Sequence, residues 1–259
     1  MIAISKHEPH PSKNLLITSE KEHISLITQA VSLQSSLISD VAHLVAQYAH
    51  DKSLTNWHTA LSRLDKLPEQ IPPLLLNDQE IRDGICSIPG SFYLIPRGTL
   101  NEFEKMVSAY GQKNLAEFRG ENPLRFRFFL TVARPFDKTQ SKEDEWRWMS
   151  DDILEGSRDE SYEKQAEMVA KFGANFEIPS LRDAAVCLLL HKVATGESLL
   201  KKKNAKNKGL STNTHVQEEI THGSHLAVGG SDPSGVCVNF VYTAHQKVGV
   251  VALRKFPST

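Results

Sequence analysis

Residues Trp146 to Leu200 read WRWMSDDILEGSRDESYEKQAEMVAKFGANFEIPSLRDAAVCLLLHKVATGESLL. Near the end of this stretch Ala184-Ala-Val-Cys-Leu-Leu-Leu190 is apolar on every side. A helix without a polar face is normally buried on most sides. Ser180 can cap such a helix, Asp183 falls in its first turn, and Gly196 can end it. Pro179 holds Ile178 extended and so discourages an earlier start. From Leu181 to Thr195 the helix would be about 22 Å long, enough to cross a small domain. A sheet is expected to pack onto it. Upstream, Ser157-Arg-Asp-Glu160 has the form of a capping box. Tyr162, Ala166, Val169 and Phe172 follow at helical spacing, with Gly173 as a natural stop. Trp146-Arg-Trp148-Met149 predicts an extended segment with both indoles on one face.

Before this stretch, Ser91 to Ile95 reads as a short strand and Pro96-Arg-Gly98 as its turn. Thr99-Leu-Asn-Glu102 is another capping box, opening a helix through Phe103, Met106, Val107 and Tyr110 that Gly111 would end. Arg125 to Ala133 alternates as a half-buried strand does. After the long helix comes a Lys-rich run, then a polar stretch to Ser224. Three strands are expected to close the chain: Leu226–Gly229, Val236–Tyr242 and Val248–Leu253, with turns at Asp232–Gly235 and Thr243–Lys247. This order predicts an α+β domain over residues 84–259, with a mainly antiparallel sheet packed with helices. In front of it, residues 1–18 read as a flexible arm and 19–83 as a small helical region. Its second helix carries Leu37, Val41, Leu44, Val45 and Tyr48, and its third carries Leu54, Trp57, Leu61 and Leu64. Pro68, Pro72 and Pro73 forbid continuation.

Composition bounds the function. The chain has 259 residues, 40% hydrophobic and 24% charged, which suits one or two globular domains. A net charge of -1 gives no global basic field for nucleic acid. Cys86, Cys187 and Cys237 lack metal-ligand spacing and read as buried free thiols in a reducing compartment. No apolar run is long enough for a transmembrane helix, and the first residues lack the pattern of a conventional signal peptide.

Several clusters have a chemical reading beside a plainer one. His215, Glu218, Glu219, His222 and His225 could offer imidazole and carboxylate ligands to zinc; His215, Glu218, Glu219 and His222 would share one face of a helix. The plainer reading is an exposed loop. Lys201, Lys202, Lys203, Lys206 and Lys208 form a basic patch that could meet phosphate or an anionic membrane. With Asn and Gly interrupting it and no aromatics for stacking, it reads more simply as a solvated linker. Cys187 and His191 are one turn apart and could pair as a nucleophile, but their apolar run favours a buried thiol. Asp151 and Asp152 would diverge on an extended chain. Gly229 to Gly235 reads as a turn, since no Gly-Lys-Ser/Thr follows. No cofactor is expected.

From residue 90 onward the sequence resembles a protein group of chlamydia-like intracellular bacteria. The residues that carry the resemblance are Trp148-Met149, Asp152-Ile-Leu-Glu-Gly-Ser-Arg158, Ser161-Tyr162, Gln165, Phe176-Glu-Ile-Pro179, Val228-Gly-Gly230 and Gly249-Val-Val-Ala-Leu-Arg-Lys-Phe256. Members often carry an N-terminal segment that looks like an F-box, a helical module that docks onto a ubiquitin-ligase adaptor. Leu37-Ile-Ser-Asp-Val-Ala-His-Leu-Val-Ala-Gln-Tyr48 is similar to it, with Ile38 where Pro is usual. The resemblance implies a protein–protein interaction module, in its finer form a host-directed ubiquitin-ligase adaptor whose Leu37, Val41, Leu44, Val45 and Tyr48 meet the partner. It also implies a location in the bacterial cytoplasm, or delivery into a host cell. The alternative reading is a hydrolase-like enzyme with a dispersed active site in the α+β domain.

Overall fold

The computed structural model describes residues 56–72, 74, 88–114, 116, 124, 126–128, 140–200, 212–221, 223–232, 235–241 and 248–256. The chain divides into two compact units, Met1–Val45 and Ala46–Thr259, and every described residue belongs to the second. The expected arm, the first two N-terminal helices with Leu37, Val41, Leu44, Val45 and Tyr48, the junction at 83/84 and the Lys-rich run all lie outside the described residues.

The second unit is an α+β fold. Residues 56–63 form α1, and Trp57, Ala60, Leu61 and Leu64 are buried in the core of this unit. The remaining helices are α2 (Leu100–Lys113), α3 (Tyr162–Ala170) and α4 (Leu181–Thr195). The strands are β1 (Gly90–Ile95), β2 (Gly98–Thr99), β3 (Phe126–Phe128), β4 (Gln140–Ser141), β5 (Glu145–Ser150), β6 (Phe176–Glu177), β7 (Asn213–Thr221), β8 (Ser224–Asp232), β9 (Gly235–Val241), β10 (Val248–Gly249) and β11 (Leu253–Lys255). One sheet has the order β1-β5-β11-β6 and is antiparallel throughout. The other has the order β10-β7-β8-β9-β3, antiparallel at β7-β8-β9 and parallel at both ends. A short β2-β4 pair stands apart.

The apolar helix α4 explains this arrangement. It touches β1 of the first sheet, β7, β8 and β9 of the second, and α2. Contacts with both sheets and α2 leave its first ten residues no solvent face, so all residues from Leu181 to Leu190 are buried. Its ends form as the sequence predicts: the Ser180 hydroxyl accepts from Asp183 N–H at 3.1 Å, and Gly196 closes it at φ 74°. Two distant groups add to the caps. Glu218 Oε2 accepts from Leu181 N–H at 2.7 Å, and Arg63 donates to the Val193 carbonyl at 2.7 Å. Both charges have the sign that the helix dipole favours. The Thr99 capping box is also present, with Glu102 N–H donating to Thr99 Oγ1 and Thr99 N–H donating to Glu102. Trp146 and Trp148 are both core: Trp146 meets Trp57 edge-on at 5.0 Å between ring centres, and Trp148 meets Phe176 at 5.7 Å.

Four local expectations differ. Helix α3 starts at Tyr162 with Ser161 as its cap, because the Ser157 hydroxyl is buried and occupied elsewhere. Helix α2 runs through Gly111 to Lys113. The polar stretch before Ser224 is the nine-residue strand β7. The single strand expected over Val248–Leu253 is instead two: β10 lies in the second sheet and β11 in the first.

Residues 250–252 therefore cross between the sheets while fully buried, and their backbone groups need partners that no ladder supplies. Three hydroxyls provide them. Val250 N–H donates to Ser157 Oγ at 3.1 Å, Val251 N–H to Thr214 Oγ1 at 3.0 Å and Ala252 N–H to Ser150 Oγ at 3.2 Å. Each hydroxyl sends its own proton to a nearby carbonyl: Leu154, His215 and Asp152 respectively. Thr214→Val keeps the shape but orphans the Val251 N–H. It is expected to lower the unfolding free energy by about 1–3 kcal/mol, with Thr214→Ser recovering most of that loss. Urea unfolding of the two variants checks this; equal midpoints for Val and Ser would rule it out. Among the described residues no helix is long and apolar enough to cross a membrane.

Candidate functional site

Strand β5 ends at Ser150, and the chain bends at 151–152 before running on to α3. This bend, the segment before β1 and the C-terminal end of α3 enclose a pocket of about 500 Å³. Its apolar walls are Ile88, Pro89, Ile153, Leu154, Met168 and Phe172, and its polar groups are Ser150, Asp151, Asp152, Glu155 and Lys171. Small-molecule and side-chain sites are typically apolar clefts of roughly 300–1,000 Å³ with a few placed polar groups.

The pocket wall is held by hydrogen bonds along its length. Asp151 N–H donates to the Pro89 carbonyl at 3.0 Å, Leu154 N–H to Val250 O at 2.8 Å and Ser150 N–H to Ala252 O at 3.0 Å. Behind the wall the chain approaches so closely that only glycine fits. A Cβ on Gly249 would overlap Ile153, and one on Gly90 would overlap the Trp148 indole. A wall fixed in this way needs little ordering when something binds, which is the advantage of preorganisation.

Asp151 and Asp152 do not diverge as they would on an extended chain. The bend ends the alternation of the strand, and both line the same pocket. Asp151 Oδ1 accepts from the Ser91 hydroxyl at 2.7 Å. Asp152 Oδ1 accepts from Ile153 N–H at 2.8 Å.

The histidine-rich stretch is a β-hairpin, neither a helix nor an exposed loop. His215 lies on β7 and His225 on β8, where it pairs with Glu219 in the ladder. His215 is 3% exposed, because the hairpin folds over α3. The Gln165 amide nitrogen donates to the Ser157 carbonyl at 2.7 Å and the Glu160 carbonyl at 3.3 Å. Its oxygen must then be the group 2.7 Å from His215 Nδ1, so the neutral imidazole carries its proton on Nδ1. Tyr162 stacks on His225, with ring centres 3.4 Å apart and planes at 4°, and meets His215 edge-on at 5.8 Å. Burial, with a smaller contribution from His225, lowers the His215 pKa from 6.5 to about 4. Burial, then the charges of Glu218, Glu163 and Glu219, raises that of Tyr162.

The carboxylates of this stretch serve the backbone. Glu218 caps α4, and Glu219 Oε1 accepts from Gly223 N–H at 2.8 Å. Among the described residues no group of three His, Cys, Asp or Glu side chains is placed to hold a metal ion; His222 lies outside them.

Cys187 is fully buried in α4, and burial pushes its thiol well above the ordinary value. A nucleophilic thiolate needs a partly exposed, electropositive setting, so this side chain is packing. His191, one turn on, places Nδ1 3.4 Å from the Tyr93 hydroxyl. Gly229 to Asp232, expected as part of a turn, instead continue strand β8, and Asp232 pairs with Gly235 of β9; residues 233–234 lie outside the described residues.

Sequence reasoning did not single out Ile88, Met168 or Lys171 as site residues. Their common feature is tertiary: three separated segments meet at the bend. No protein-family model, curated protein or solved structure matches this chain.

Proposed function

We propose that the unit Ala46–Thr259 is a protein-binding module and that the pocket at the 151–152 bend receives its partner. One observation carries this reading: an apolar cleft of side-chain size whose wall is pinned by backbone hydrogen bonds before anything binds. In its finer form the protein is a host-directed ubiquitin-ligase adaptor. Leu37, Val41, Leu44, Val45 and Tyr48 then dock on the ligase, and the pocket holds the protein to be modified. The support for that form is the likeness of Leu37–Tyr48 to an F-box segment. The hydrolase alternative loses its thiol nucleophile, since Cys187 is sealed in the core.

The test is capture from host-type cytosol by three chains: the full-length protein, full-length Met168→Arg, and a chain starting at Ala46. A longer truncation would remove Trp57, Leu61 and Leu64 from the core. Met168 is part-exposed at the pocket, so a long side chain there fills the cleft; because Met168 also packs against the core, the urea midpoint of the variant is measured beside the capture to show that it stays folded. A partner held by the full-length and Ala46 chains and lost at least tenfold with Met168→Arg supports the pocket. Equal retention by Met168→Arg sinks it. A ligase adaptor held only by chains that keep Met1–Val45 supports the finer form.

A further inference from the structure

We propose that the pocket selects a polypeptide segment in which a large apolar side chain stands beside a Lys or Arg. This deepens the binding reading above and rests on it. The floor, made by Ile88, Pro89, Ile153, Met168 and Phe172, takes the apolar side chain. The rim supplies the sign of the flanking residue. Asp152 and Glu155 both line the cleft, and neither forms a salt bridge among the described residues. Among the described residues the Asp152 carboxylate is held by a neutral donor, Ile153 N–H, so its charge is oriented but not neutralised. Among the described lining residues the carboxylates of Asp152 and Glu155 are set against one ammonium, Lys171. An anionic ligand would meet like charge next to an apolar wall, where solvent screens poorly. A Lys or Arg instead lays its aliphatic stem along Ile153 or Met168 and brings its cation to the rim.

The occupant is a polypeptide rather than a free amine because the cleft offers an apolar lining of side-chain size together with the carboxylates of Asp152 and Glu155, and adjacent residues of one peptide can meet both. This is the geometry of anchor recognition, in which one buried side chain supplies affinity and rim charges supply specificity.

The experiment uses the full-length chain and fluorescence anisotropy with three sets of short labelled peptides. Each has a central Leu, Met or Phe, flanked by Lys and Arg, by Gln, or by Glu. The basic peptides are expected to bind about fivefold tighter than the Gln peptides, the effect of a partly screened ion pair, and the Glu peptides weakest of all. Asp152→Asn with Glu155→Gln removes two charges yet keeps the acceptor for Ile153 N–H. It should bring the affinity for the basic peptides down to that for the Gln peptides measured on the same variant. Equal affinity for basic and Gln peptides overturns the charge selection while leaving the pocket reading standing. Tightest binding of the Glu peptides also overturns it. Failure of every peptide to bind overturns both.

Discussion

Replacing Asp183 with Ala is expected to lower the unfolding free energy by about 3–5 kcal/mol, the usual cost of removing one partner from a buried charge network. Asp183 sits in the first turn of α4 with its side chain 5% exposed. Three cations converge on it: Arg147 Nε at 3.4 Å, and Arg182 and Lys255 Nζ each at 3.9 Å. Both guanidiniums are as buried as the carboxylate. Arg182 is fixed by donating to the Pro96 carbonyl at 2.5 Å and the Gly98 carbonyl at 3.3 Å. Arg147 donates to the Trp146 carbonyl at 2.9 Å and pairs with Glu145. Burial lowers the Arg182 pKa, and Asp183 is the largest influence opposing that. Without Asp183, the half-buried Glu145 is the carboxylate left beside the two buried guanidiniums among the described residues. The helix also loses an acid in its first turn. Urea unfolding measures the effect, and Asp183→Asn should fall between the wild type and Ala because it keeps an acceptor without the charge. A loss under about 1 kcal/mol for Ala would show that water reaches the cluster and that the network is not a buried one.

That cluster marks where the sequence stops being legible. The position, caps and burial of α4 could be read from Ser180, the all-apolar run and Gly196, since those signals are local. Thr99 to Glu102 was legible for the same reason. Strand β7 was not. Thr214 and His215 look like loop residues until Val251 and Gln165 appear as their partners, 37 and 50 residues away. Ser157 carries a capping-box spacing, yet its hydroxyl is claimed by Val250, 93 residues on. Val248 to Leu253 reads as one strand because nothing in its composition shows that the middle crosses from one sheet to the other. The pocket was half legible. Asp151 and Asp152 stand out in the sequence, but the bend that turns both into one cleft, and the arrival of Ile88 and Met168 opposite them, are tertiary facts. Val41 and its helical neighbours lie outside the described residues, so the partner face expected there remains a proposal.

Between pH 6.5 and about 4 the folded protein is expected to lose stability through His215. The sign follows from proton binding. As pH falls through 6.5 the imidazole of the unfolded chain takes up a proton, while the folded imidazole stays neutral until about 4. The unfolded state then binds more protons, so stability is fully present above pH 6.5 and declines as pH falls toward the folded value. The slope approaches ~1.4 kcal/mol per pH unit, for a total of roughly 3 kcal/mol. Glu218 acts in the opposite sense: burial raises its pKa, so just above the ordinary carboxyl value the folded group holds protons that the unfolded one has released. The two effects must therefore be separated by a variant. His215→Asn places an amide N–H near the former Nδ1 and can still donate to Gln165, but it does not titrate. Chemical denaturation across this range should show wild-type stability falling relative to His215→Asn as pH drops, with Glu218 cancelling in the difference. A difference that stays flat with pH would mean that water reaches His215 and that the hairpin does not seal over α3.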